Sequence, residues 1–449
     1  MRYGILGAGP SGLAMARFIK HESVVLEKNS TPGGHAGSFI DQEYTFDHGP
    51  HILFSKDKNI LRYLLNILGK NVYTRKRNNK ISYKSKLIKY PFENDLSSLP
   101  LNDNYECLSS YLINPYKVKY KKPKNFKEWL LTHFGKGICE HYLFPYNTKV
   151  WNIPLTKLSM IWVDRLPIPP VEDIIRSSLG FETEGYLHQL YYHYPKRGGY
   201  QAISEKLSNG IDVRFNYRVK KIYKEKEIWK VSDGGQIFSF DEIISTIPIY
   251  ELIKILDYPV AQKVKKAISQ LIINPMFVVS LGIKGIDLNK YSAIYFPEAE
   301  FLVNRISFPS TLSPNNVPKG HYSIQAEITC RNRSSIWKSS DNEILKHTIQ
   351  GLVKSNIISK VKDIVYVNVR RHPYAYVVYD THYEKNVGII RDWFPRQGIH
   401  LVGRFSYFEY INIDGVIKTA LKIASMINGY QMNINEKGEL SKNNLSYKI

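Results

Sequence analysis

The sequence predicts an α/β protein in which a parallel-sheet unit is interleaved with a helical unit and an antiparallel sheet. Three observations carry this reading. Residues 1–34 run apolar strand, glycine turn, amphipathic helix, apolar strand, the order of a Rossmann-type unit. Residues 96–190 keep the helical spacing of apolar side chains, broken at prolines. Short β-branched runs then return, and one more strand, turn and helix follow at 399–427. No repeat or low-complexity linker separates these blocks, so the units interleave rather than follow one another.

The opening stretch is the most specific. Gly7, Gly9 and Gly12 set a GxGxxG spacing, which gives a tight turn, lets backbone approach a pyrophosphate and allows close helix–strand packing. The helix starting near Pro10 points its N-terminus, with free N–H groups and the positive end of its dipole, at that pyrophosphate. Glu27 closes the second strand, placed to accept hydrogen bonds from ribose hydroxyls. A second glycine pair follows, ending at Gly34. A turn there resembles flavin enzymes of the amine-oxidase and glutathione-reductase type, in which it meets the dinucleotide again, so FAD is favoured over NAD.

Further along, Phe46-Asp47-His48-Gly49-Pro50-His51-Ile52 precedes a helix over residues 58–68. Residues 73–92 read as strands or a hairpin. In the helical block, Asn125 opens one helix, residues 137–151 carry another, and Pro145, Pro154 and the turn 167–170 interrupt. Strands are expected at 213–217, 219–223, 228–231 and 243–246. A second, antiparallel sheet is expected at 277–283, 293–296, 322–328 and 365–369, with a helix at 342–353. The expected units are an FAD-binding domain (1–75, 191–250 and 385–432), a helical substrate domain (95–190), an antiparallel-sheet substrate domain (76–94 and 251–384) and a frayed polar tail (433–449).

The 449 residues carry a formal charge of +22. One reading is attraction of polyanions or of an anionic membrane surface; the preferred one is lysines scattered over solvated faces. No arm or stripe of lysines sits beside an aromatic platform, which argues against nucleic acid. No apolar run reaches membrane-spanning length and no signal peptide precedes the first strand, so a cytoplasmic location is expected. Cys107, Cys139 and Cys330 lie far apart, and no metal-ligand spacing is seen.

Several motifs together resemble the UDP-galactopyranose mutase family. Gly49-Pro50-His51-Ile52 is similar to its bacterial members. Lys80-Ile81-Ser82-Tyr83, Tyr90-Pro91-Phe92, the run from Pro145 to Trp151 and Pro195-Lys196-Arg197-Gly198-Gly199 look more like its eukaryotic ones. Gly403-Arg404-Phe405 and Tyr410-Ile411-Asn412-Ile413-Asp414 resemble the C-terminal flavin motif of both. The resemblance implies pyranose–furanose interconversion of a nucleotide sugar, with reduced FAD as nucleophile through a covalent iminium. By the same resemblance, His51 lies against the flavin, and Arg165 and Arg305 hold the leaving diphosphate. Tyr295, Tyr376 and Tyr410 hold diphosphate and sugar. Tyr142, Asn147 and Trp151 form the uridine pocket, and Arg404, Asn412 and Asp414 stand near the flavin and active site. The implied partners are a nucleotide sugar and a reductant such as NAD(P)H, with homo-oligomerisation left open.

The chain departs from the family at Leu312, where another tyrosine is usual, and at Tyr142, Glu93 and Lys80, which replace phenylalanine, glutamine and arginine. These changes put the base and sugar in doubt. The rival reading is an FAD-dependent oxidoreductase of the amine-oxidase or protoporphyrinogen-oxidase type, against which the arginine pair speaks, since a neutral amine has no need of it.

Overall fold

The computed structural model describes residues 1–163, 166, 168–183, 190–285 and 291–446. In the glycine-rich opening, the strand Arg2–Leu6 pairs in parallel with Glu22–Leu26 on one side and Glu242–Ser245 on the other. Val213–Arg214 and Ile399–Leu401 complete a five-stranded parallel sheet at its two edges. Strands from the start, middle and end of the chain thus share one layer. The helices Pro10–Phe18 and Ile413–Asn428 pack together on it, burying Leu13, Phe18, Ile417 and Ala420 in a common core.

The second large sheet has seven strands and joins Ile364–Val378, Ile272–Lys284, His321–Thr329, Arg305–Ser307, Ala293–Tyr295, Asn79–Tyr83 and Lys86–Lys89 in that order. It is not wholly antiparallel as expected: Ala293–Tyr295 runs parallel to Asn79–Tyr83. The edge strand Ile364–Val378 is also three times the expected length. Its charged, proline-containing half hid it, yet an edge strand tolerates proline, and Pro373 falls where the pairing register slips.

The helical block contains Leu101–Leu112, Phe126–Ile138 capped by Asn125, Phe144–Trp151 and Val171–Ser178. Pro145 does not interrupt its helix. A π-turn over Cys139–Leu143 leads directly into it and leaves the proline in the first turn, where no N–H is missed.

The expected frayed tail is a hairpin. Tyr430–Ile434 pairs with Leu440–Ser446 around a turn closed by the Asn435 side chain, which accepts from the Lys437 and Glu439 N–H groups. Asn59 and Asn66 donate to the Ile434 and Lys437 carbonyls, tying the hairpin to the helix Lys58–Leu68. The polar composition concealed the buried Met432 and Ile434.

Candidate active site

At the first glycine turn, a side-chain carbon on Gly12 would lie 2.0 Å from the Gly7 carbonyl oxygen, so only glycine lets the helix start this close to the strand. Gly9 faces the second glycine turn, 3.4 Å from where a Gly34 side chain would begin. Gly403, at φ +91°, sits against Ser11. Three turns from distant parts of the sequence therefore present bare backbone to one place. Glu27 is 4% exposed, and its two carboxylate oxygens accept from the Ala8 and Asn29 N–H groups at 2.7 and 2.9 Å. Each oxygen keeps a lone pair for a ribose hydroxyl. Asp414, in the first turn of Ile413–Asn428, accepts from the Ser55 hydroxyl at 2.7 Å, and Asn412 is exposed at that helix's N-cap.

Beyond these turns lies a polar, histidine-rich zone. His51 stacks on Tyr200 with centroids 5.1 Å apart, and its Nδ1 is buried without a hydrogen-bond partner among the described residues. Burial, followed by the nearby guanidinium charges of Arg404 and Arg305, draws its imidazole down to about 3. His51 is therefore neutral at any working pH, a hydrogen-bonding group rather than a cation. Arg404 donates to the Ala375 carbonyl at 3.0 Å and lies 4.2 Å over the ring of Tyr410, with its buried Nε also unpartnered among the described residues. Two orphaned polar atoms, bare glycine turns and a buried acid at the second strand fit a flavin dinucleotide lying between them.

The long sheet supplies the facing wall. Tyr295, Arg305 and Glu327 are directly opposite one another on three adjacent strands, so their side chains share one face. Glu327 is almost fully buried and accepts from Arg305 Nε, and the two terminal guanidinium nitrogens have no hydrogen-bond partner among the described residues. Burial opposes the Arg305 charge most, but Glu327 together with the neighbouring Tyr376 and Tyr295 more than offsets it and holds the guanidinium well above its ordinary value. Around this pair, Tyr90 stacks on Tyr295 at 4.8 Å and Tyr146 meets it edge-on at 5.5 Å. Tyr376 stacks on Tyr410 at 5.6 Å. Burial raises the hydroxyls of Tyr90, Tyr146 and Tyr376 beyond any titration near neutrality, so they remain donors.

The expected uridine trio is placed differently. Tyr142 is 4% exposed and stacks with Phe92 at 5.2 Å and with Tyr146 at 5.5 Å, so its ring is core and offers no free face to a base. Trp151 is equally buried, against Trp162, Tyr376 and Tyr410. The Asn147 amide is engaged at both ends within its own helix: its nitrogen donates to the Leu143 carbonyl and its oxygen accepts from Trp151 Nε1. Arg165 lies outside the described residues. Leu312 is core beneath the parallel sheet. Glu93 is buried beside Tyr90 and Tyr142.

Reading the sequence missed Glu327, whose signal was an acid inside the apolar strand His321–Thr329. It also gave no role to Tyr90, Tyr146 or Lys149, although all three stood in quoted motifs. Lys149 Nζ donates to three carbonyls, of Phe296, Glu298 and Val303, at 2.7, 2.9 and 2.7 Å. It thereby clamps the helix Phe144–Trp151 to the loop between the Tyr295 and Arg305 strands. Burial draws its amine down to about 7, yet three acceptors call for the three N–H donors that only the ammonium has.

The model of the family described as flavin containing amine oxidoreductase matches residues 10–428, nearly the whole chain. The chain belongs to this family. As a member of it the chain is a flavin-dependent enzyme, and its cofactor is FAD. Its fold is similar to that of reduced UDP-galactopyranose mutase, with a TM-score of 0.87 over 95% of this chain and 94% of that one at 24% identity. A putative protoporphyrinogen oxidase from Exiguobacterium sp. 255-15 follows at a TM-score of 0.75 and 15% identity, over 95% and 98% of the two chains. At these identities the likeness is one of fold. A 4,4'-diapophytoene desaturase from Staphylococcus aureus (strain MRSA252) is 24% identical over 290 residues, 55% of each chain. The chain thus spans about half the length of the curated relatives it matches.

Proposed function

We propose that this flavoenzyme is a nucleotide-sugar pyranose–furanose mutase, acting on UDP-galactopyranose or a related nucleoside-diphosphate sugar without net oxidation. The observation that supports it most is Arg305, held by the buried Glu327 in a wall of tyrosines and facing the flavin side. A guanidinium fork with its terminal nitrogens free matches paired phosphate oxygens. A neutral hydrocarbon or amine would gain nothing from it.

Reduced FAD, held at the glycine turns and Glu27, would supply the nucleophile for the anomeric carbon. The chain's own residues set the conditions. Glu327 fixes the plane of Arg305, which takes up charge as the C–O bond to the diphosphate breaks. The hydroxyls of Tyr295, Tyr376 and Tyr410 donate to phosphate and sugar oxygens. Neutral His51 places a hydrogen-bonding ring against the flavin without adding a charge that would compete for the diphosphate. Arg165 would complete the clamp. The nucleoside end falls to the half-buried Tyr90 and Tyr146 rather than to Tyr142 and Trp151.

The second reading, an oxidoreductase, draws support from the family and from the names of the desaturase and oxidase relatives. The two readings part on oxidation state. Protein reduced anaerobically and given UDP-galactopyranose and other nucleotide sugars should yield furanose product, while the oxidised protein should not. Stoichiometric oxygen uptake by oxidised enzyme on its substrate, with no exchange by reduced enzyme, would falsify the mutase reading.

A further inference from the structure

One exposed face lies outside the flavin and diphosphate machinery. The helix Leu101–Leu112 buries Asp103, Cys107 and Tyr111. Roughly a quarter-turn or more away, Leu101, Tyr105 and Leu112 form a second stripe at helical spacing that points outward, with Leu101 82% exposed. Beyond it, Ile113 and Val118 are 79% and 73% exposed. Asn104 and Ser178 exchange hydrogen bonds of 3.0 and 2.7 Å, which sets this edge beside the end of Val171–Ser178 and the exposed Leu179. Single exposed apolar residues are ordinary, but a run of them across two adjoining helices is not.

In the same stretch the lysines are concentrated rather than scattered. Residues 112–124 contain Lys117, Lys119, Lys121, Lys122 and Lys124 and no acidic residue, and all five lysines are exposed. Tyr116 and Tyr120 stack among them at 5.8 Å, with the Lys119 ammonium over both rings. Exposed apolar tips, tyrosines and lysines along one stretch are the composition of a segment lying in a bilayer's headgroup boundary. A nucleic acid would engage the lysines but would leave Leu101 and Ile113 without purpose. A second copy seated with the two stretches face to face would bring ten exposed lysines together, with no acidic residue in either stretch to offset them. No described helix is long and apolar enough to cross a membrane, so the association would be with a surface.

We propose that this face docks the protein onto an anionic lipid bilayer, with Leu112, Ile113 and Val118 in the headgroup boundary and the lysines on the lipid charges. The proposal is independent of the substrate reading. A cavity of about 220 Å³ is lined by Ser177, Gly180 and Phe181 at the end of the same helical pair, and by Lys80 and Lys89. Those two lysines also line a cavity of about 450 Å³ that reaches Tyr90.

The test is sedimentation of the full-length, FAD-loaded protein with vesicles of phosphatidylcholine alone or mixed with phosphatidylglycerol. Binding is expected to the mixed vesicles only and to fall steeply with salt. Each lysine near a charged bilayer is worth about fivefold in partitioning, so Lys119→Glu/Lys121→Glu/Lys122→Glu should weaken binding by about a hundredfold or more. Ile113→Ser/Val118→Ser should weaken it by about tenfold. Flavin content and unfolding temperature serve as fold controls and should not move in either variant. Equal sedimentation with both vesicle types, or variants binding like the parent, would overturn the proposal. So would a wild-type oligomer in light scattering that Ile113→Ser/Val118→Ser dissociates, since the face would then belong to a second copy.

Discussion

The two halves of the candidate site are built from different materials. On the parallel-sheet side the surface offered to the cofactor is backbone: Gly7 to Gly12, Gly34 and Gly403, with one acid, Glu27. On the long-sheet side it is side chain: Arg305 on Glu327, flanked by Tyr90, Tyr146, Tyr295 and Tyr376. A backbone site tolerates almost no added atom but needs no partner residue. A side-chain site tolerates changes of shape yet depends on pairs brought together by strand register. The two halves should therefore fail in different ways when altered.

The largest effect is expected at Glu327. Glu327→Ala leaves the half-buried Arg305 charge without its partner, which should cost about 3 kcal/mol in denaturant unfolding. Flavin retained after purification should change little, because no glycine turn moves. If the flavin is lost along with stability, the two halves are not separable in this way.

The converse change is Gly12→Ala. A methyl group 2.0 Å from the Gly7 carbonyl must push the helix off the strand, at about 3 kcal/mol of overpacking strain. Flavin absorbance after reconstitution should fall to a small fraction. A variant that keeps full flavin would show that the turn is not where the dinucleotide lies.

Between the halves stands Asp47, whose carboxylate accepts from the Ser38 and Tyr194 hydroxyls and the Tyr200 N–H ahead of the His51 turn. Burial pushes this carboxyl up to about 6, against the pull of those donors. The folded state thus holds the proton to higher pH than the unfolded chain. Its stabilising contribution is complete below about pH 4 and is lost as pH rises through about 6, on the order of 3 kcal/mol in all. Unfolding curves of the parent and Asp47→Asn should show that loss in the parent alone. A flat difference between them would mean that Asp47 ionises as it does in water.

The smallest effect is expected at Tyr142→Phe, within about 1 kcal/mol of stability and with no change in nucleotide affinity, since the ring is core. A clear change in KM for the nucleotide sugar would return Tyr142 to the ligand.

The same contrast decides what could be read from the sequence. Backbone requirements leave a local trace, so the GxGxxG turn, the second glycine pair and the terminal strand–turn–helix were all legible at their true places. The side-chain half was legible only in pieces. Arg305 and Tyr295 could be named, but the acid that holds Arg305 stands 22 residues further on, and only strand register joins them. Tyr142 and Trp151 were given to the ligand by resemblance to the family's uridine pocket, and spacing could not correct this, since an aromatic residue at helical spacing reads alike whether it faces a cavity or the core. The tail and the lysine-rich stretch failed through composition: polar averages concealed two buried residues in one and a concentrated charge in the other.

The account turns on Arg305 being the diphosphate anchor, and calorimetric titration of UDP into the FAD-loaded protein tests this most directly. The parent should bind, Arg305→Ala should lose about 2–5 kcal/mol of that affinity, Arg305→Lys should recover only part of it, and all three should carry the same flavin. No UDP binding by the parent, or equal binding by all three, would contradict it.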